Sequence, residues 1–68
     1  MKAIKIWSGS MTDIYEVIAD EGEILTAKSI NEYMHQKGYA IFGMAVEYNN
    51  GIRAEVRAYV DWQHSDLT

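Results

Sequence analysis

The chain has 68 residues, 49% hydrophobic and 24% charged, with ten acidic against six basic side chains and a net charge of −4. That length bounds it to one domain, the absence of cysteine excludes a disulfide framework or a zinc–thiolate site, and the acidic balance argues against a general nucleic-acid binder. No apolar run approaches the ~20 residues of a membrane span, and the lysines alternating with apolar residues at the N-terminus are not the apolar block of a signal peptide, so a cytoplasmic location is expected.

A chain of this size buries only about 60% of its unfolded surface. Ordering it costs about 1.5 kcal/mol per residue, which nearly cancels the gain from apolar burial. An idealised core, a bound ligand or a second chain must make up the difference, and self-association is the expected route.

In chain order, Lys2 to Trp7 reads as a first strand closed by Ser8-Gly9-Ser10. The segment Met11 to Ala19 fits two patterns. Met11, Ile14, Tyr15 and Ile18 have helical spacing, with Ser10 as N-cap and Gly22 just past the end. Its β-branched and aromatic residues instead prefer a pleated surface. A three-residue loop at Ser8-Gly9-Ser10 then pairs Ile4 with Ile14, Lys5 with Asp13 and Lys2 with Glu16, apolar on apolar and charge on opposite charge. The strand is the favoured reading.

Asp20-Glu21-Gly22 is a turn, and Asp20, Glu21 and Glu23, with Glu16 nearby, form a solvated acidic tip. Glu23 to Ala27 is expected as a short third strand. Ser29-Ile30-Asn31-Glu32 matches a capping box, with Ile30, Tyr33 and Met34 as the apolar stripe of a helix that Gly38 ends after Lys37.

Tyr39 to Trp62 reads as one long hairpin folded at Asn49-Asn50-Gly51. Ile52, Ala54, Val56, Ala58 and Val60 alternate with Arg53, Glu55, Arg57, Tyr59 and Asp61, which sends the two sets to opposite faces. A three-residue loop would set Tyr48 by Ile52, Val46 by Ala54, Met44 by Val56, Phe42 by Ala58 and Ala40 by Val60, an apolar layer of alternating large and small side chains. The far face then carries Tyr39, Ile41, Gly43, Ala45 and Glu47 beside the charged set, with Glu47 opposite Arg53 and Ile41 beside Tyr59.

The expected fold is therefore α+β: a small antiparallel sheet of four to five strands with one helix on one face, in the order β-β-(short β)-α-β-β. Residues 63–68 are expected to form a frayed tail. One helix cannot cover both faces, so the far face is either wet or occupied by another chain. The partner-binding candidates are Ile41, Gly43, Arg57 and Tyr59, joined by Trp7 and Trp62 near strand ends; Tyr, Trp and Arg are the types enriched at interface hot spots.

Catalytic chemistry finds no support. The two histidines, His35 and His64, would have to recruit carboxylates such as Asp61 or Asp66 to hold a metal. No glycine-rich loop joins a strand to a helix to cradle a phosphate. No cofactor is expected. The functional expectation is a non-enzymatic module that binds a protein partner, as an inhibitor or an accessory regulatory protein of the kind phages and mobile elements encode, acting as a homo-oligomer. The rival readings are a small-ligand binder, with Tyr39, Arg57, Tyr59 and a tryptophan framing a pocket between chains, and a weak nucleic-acid binder stacking bases on the sheet face.

Overall fold

The second hairpin docks its returning arm, rather than its leading one, against the first hairpin. Strands β1 (Lys2–Gly9), β2 (Thr12–Ile18), β3 (Ile41–Asn49) and β4 (Arg53–Val60) form one antiparallel sheet in the order β1-β2-β4-β3, and helix α1 (Ala27–Gln36) links β2 to β3. The computed structural model describes residues 1–39 and 41–60, with Ile41 described by its backbone alone. The expected α+β fold and its element order hold, with four strands. The segment Met11 to Ala19 is a strand, as its residue types favoured.

The helix packs on one face of the sheet. Ile30 and Met34 of α1 and Leu25 before it bury against Tyr15 and Val17 of β2 and Ala54, Val56 and Ala58 of β4. The alanines at 54 and 58 keep the middle of the sheet low, so a helix of only ten residues can approach it closely. Tyr39 stands edge-on to Tyr15, ring centroids 5.2 Å apart, and closes one side of the core. Such a short helix draws its stability from this packing rather than from its own propensity.

Both helix ends are capped, though the first not where the Ser29-x-x-Glu32 pattern indicated. Thr26 is the N-cap: its hydroxyl accepts from the Ser29 N–H, and the Ser29 hydroxyl accepts from the Thr26 N–H, each at 3.0 Å. Ser29 thus serves as the third residue of the box. The expected short strand at Glu23 to Ala27 is absent, because Thr26 and Ala27 are already committed to the helix. At the other end Gly38 adopts φ +80° and donates to the His35 carbonyl while Tyr39 donates to that of Met34, a full Schellman ending.

Three β-bulges correct the expected registers. In β1 the extra residue is Ile6, and in β3 the extra residues are Phe42 and Glu47; the central β2–β4 pairing is regular. The first hairpin turns at Ser10-Met11, so Ile4 lies opposite Glu16, Lys5 opposite Tyr15 and Lys2 opposite Ile18, instead of Ile14, Asp13 and Glu16. The bulge at Ile6 then brings Ser8 opposite Asp13 and Trp7 opposite Ile14.

In the second hairpin the ladder ends at Asn49–Ala54. The turn is held by asparagine side chains: Asn49 Oδ1 accepts from Gly51 N–H at 2.8 Å, and Asn50 Oδ1 accepts from Ile52 and Arg53 N–H at 3.1 and 2.9 Å. Strict alternation from Asn49 would aim Glu47 at the core. The bulge removes it from the ladder and restores Val46 opposite Val56 and Met44 opposite Ala58. Tyr48, Phe42 and Ile52 are consequently exposed rather than part of the apolar layer, Glu47 meets Arg57 rather than Arg53, and Tyr39 lies on the core side. The expected pairing of Ala40 falls outside the described residues.

Candidate interaction surface

Among the described residues nothing covers the sheet face away from α1. Cross-strand pairing sorts it into rows running β1, β2, β4, β3: Gly9, Thr12, Tyr59 and Gly43; then Trp7, Ile14, Arg57 and Ala45; then Ile4, Glu16, Glu55 and Tyr48; then Lys2, Ile18 and Arg53. Period two along each strand keeps these side chains on one side.

Glycine shapes two places on this face. The Trp7 indole lies over Gly9, where an added Cβ would come within 2.7 Å of Cζ3. The Tyr59 ring lies over Gly43, 3.7 Å from where a Cβ would stand. Phe42, expelled from the ladder, tilts against Tyr59 with centroids 6.4 Å apart. The large side chains are nonetheless poorly covered: Phe42 is 66% exposed, Tyr48 55% and Trp7 54%. At the centre Arg57 bonds Glu47 at 3.1 Å, both side chains remaining nearly half exposed.

Of the sequence candidates, Trp7, Gly43, Arg57 and Tyr59 share this face. Ile41 pairs opposite Val60 through its backbone; its side chain, and the whole of Trp62, His64, Asp66 and the expected tail at 63–68, lie outside the described residues. Trp7 is not core packing. Tyr39 lies on the opposite face from Arg57 and Tyr59, so these three do not frame one pocket within the chain. Sequence reasoning missed Phe42 and Tyr48, and the only local signal was that unbroken alternation would bury Glu47.

Two polar groupings lie elsewhere. At the open margin of the core, the buried Asp13 carboxylate accepts from the Ser8 hydroxyl at 2.6 Å and, at a long 3.5 Å, from the Tyr15 hydroxyl, with Lys5 Nζ also 3.5 Å away. Burial first, and then the neighbouring Asp13 charge, pushes the Tyr15 hydroxyl up to about 12. Among the described residues no buried side-chain polar atom of the group lacks a hydrogen-bond partner. This is a structural network sealing the sheet margin.

The acidic turn is not simply solvated. The Met1 ammonium bonds Asp20 Oδ2 and lies 2.9 Å from Glu23 Oε1. The Asp20 and Glu23 hydrogen bonds raise the amine above its ordinary value, and the Asp20 N–H together with that amine lowers Glu23. Antiparallel pairing of β1 with β2 is what delivers Met1 to this turn. Beside it an open depression of about 710 Å³, bordered by Asp20, Glu21, Glu23, Tyr48 and Arg53, lacks the enclosure and converging polar groups of a ligand pocket.

Among the described residues no three His, Asp or Glu side chains come together as a metal-ligand set, and no helix is long and apolar enough to cross a membrane. No protein-family model, no curated protein and no solved structure matches this chain.

Proposed function

We propose that this chain is a non-catalytic interaction module that docks another protein chain on the uncovered face of its sheet, acting by steric or regulatory binding. One observation carries this reading: Trp7, Phe42 and Tyr48 stay more than half exposed on one face around Arg57 and Tyr59. A domain with so little core to spare leaves large aromatic surface in water only at a cost of about 25 cal/mol per Å², and here that surface rims a charged centre on a single face. Aromatic residues and arginine are also the types that anchor protein interfaces.

Two further features favour a protein over other partners and the face over the edges. Lys2, Arg53 and Arg57 are balanced by Glu16, Glu47 and Glu55 on the same face, which offers no excess of positive charge to a polyanion. All three bulges sit in the edge strands β1 and β3. Bulges break the regular row of free N–H and C=O groups that an added strand needs, so extension of the sheet from either edge is disfavoured.

Hydroxyl-radical footprinting in a lysate of producing cells tests the reading. Relative to Ile24 and Ile52, which are exposed outside the strands and correct for radical scavenging by the lysate, Phe42, Tyr48 and Tyr59 should be oxidised more slowly than in the dilute purified chain. Equal oxidation of the face in both conditions overturns it.

A further inference from the structure

We infer that the occupant of the uncovered face is a second copy of this chain, packed face to face about a two-fold axis running across the strands between the Arg57 and Glu55 rows. The inference rests on the docking reading above and adds the partner and its orientation. The charge map of the face carries it. In the middle of the sheet Glu16 and Glu55 lie directly opposite each other on β2 and β4. Like charges so placed destabilise a strand pair, and among the described residues neither carboxylate has an ion-pair or hydrogen-bond partner. One row away, separated by about 7 Å along the strand, is Arg57, whose guanidinium has five N–H donors and stands 3.1 Å from the Glu47 carboxylate through Nε alone.

A two-fold axis lying between the sheets has two simple directions. Parallel to the strands it would lay β2 over β4 of the second copy and stack Glu16 on Glu55, like charge on like. Perpendicular to the strands it lays each strand over its own copy with the rows reversed. Arg57 then stands over Glu55 of the second copy and Glu55 over Arg57 of the second copy, two reciprocal ion pairs on the axis. The same operation sets Trp7 over Ile4, apolar on apolar, and the small Ala45 over the protruding Tyr48, while Glu16 stands over Ile14, beside the Arg57–Glu55 pairs. Sheets packed face to face rotate by about 30° about the central contacts, which preserves the Arg57–Glu55 pairs and shifts only the outer ones. A standard interface takes about 800 Å² from each partner, roughly a sixth of this chain's 4628 Å². The face is neutral in sum, and along β4 its charge reverses from Arg57 to Glu55 to Arg53, which suits a self-complementary surface.

Sedimentation or light scattering at micromolar concentration, with circular dichroism to confirm folding, tests the arrangement by charge reversal. Wild type should be a dimer. Arg57→Glu and Glu55→Arg should each be monomeric, the dissociation constant rising on the order of 100-fold or more. The double variant R57E/E55R should dimerise again, and so should an equimolar mixture of the two monomeric single variants, because each supplies the charge that the other lacks. Should Arg57→Glu fail to fold beside Glu47, wild type and Glu55→Arg, which leaves the Arg57–Glu47 pair intact, still decide the matter. A monomeric wild type, or single variants that dimerise as well as wild type, overturns the inference. If wild type is monomeric while its face is still protected in lysate, another protein occupies the face and the docking reading survives. If the face is unprotected as well, both fall.

Discussion

Arg57 of β4 forms an ion pair with Glu47 of β3, Nε standing 3.1 Å from the carboxylate, and Glu47 is the residue that a bulge has pushed out of the β3 ladder. The bulge and the ion pair are two aspects of one solution. An unbulged strand would direct a carboxylate at the helix, where an unpaired charge costs several kcal/mol. The extra residue instead turns Glu47 to the open face, where a guanidinium is waiting. The ion pair itself contributes little, because both partners remain solvated.

Deleting Glu47 is therefore expected to be tolerated. Val46 and Tyr48 already face the core and the open side as a regular strand would have them, so the shortened strand pairs without slippage. Thermal unfolding should show a loss of no more than about 1 kcal/mol, the upper range for an exposed pair. The straightened edge should in turn raise light scattering at high concentration, as unprotected edges do. Complete unfolding of the deletion variant would show that the fold requires the bulge itself.

Stability should have both an alkaline and an acid limb at the Met1 clamp. The amine is raised above 8.0 in the folded state, so its contribution is complete below about pH 8 and fades as pH climbs through the raised value. Glu23 is lowered below 4.5, so its contribution is complete above that pH and fades as pH falls through the lowered value. Melting temperature should be flat between these limits. Replacing Asp20 by Asn with Glu23 by Gln should flatten the alkaline limb; an unchanged limb in that double variant would assign it to other groups.

Met11 sits at φ +59° in the second position of the β1–β2 turn, where glycine or asparagine is the usual choice. Its side chain is half exposed and packs on little. A left-handed conformation costs an ordinary residue about 1–2 kcal/mol. Met11→Asn should therefore stabilise the domain by up to about 1 kcal/mol in chemical denaturation. A destabilised variant would mean that the methionine makes contacts worth more than its strain.

The core should be sharply intolerant. Ile30 and Met34 are fully buried, and truncating either to alanine should cost about 2–5 kcal/mol, comparable with the ~5 kcal/mol at the low end of domain stabilities. Such variants should be largely unfolded at physiological temperature by circular dichroism. Met34→Leu, which conserves volume, should cost less than about 1.5 kcal/mol.

The elements of this protein were legible in its sequence because their causes are local. Alternation through Ala54, Val56 and Ala58, the stripe at Ile30 and Met34, the β-branched run at Ile14 to Ile18 and the glycines that end turns with positive φ all act within a few residues, by side-chain periodicity and backbone sterics. The sequence alone therefore determined the α+β class, the order of the long strands around one helix and which arm of the second hairpin is half buried, but it also indicated a short strand at Glu23 to Ala27 that the helix cap at Thr26 displaces. Register was a tertiary decision. The bulges at Ile6, Phe42 and Glu47 arise from a balance between turn geometry and the penalty for burying a charge or exposing the core, and no local pattern records that balance. It moved Phe42 and Tyr48 out of the core and brought Glu47 to Arg57. The open face thus owes its arginine and tyrosine to the sequence pattern, and its aromatic corners and the row order of its charges to the folded sheet, because only pairing between distant strands decides which residues stand side by side.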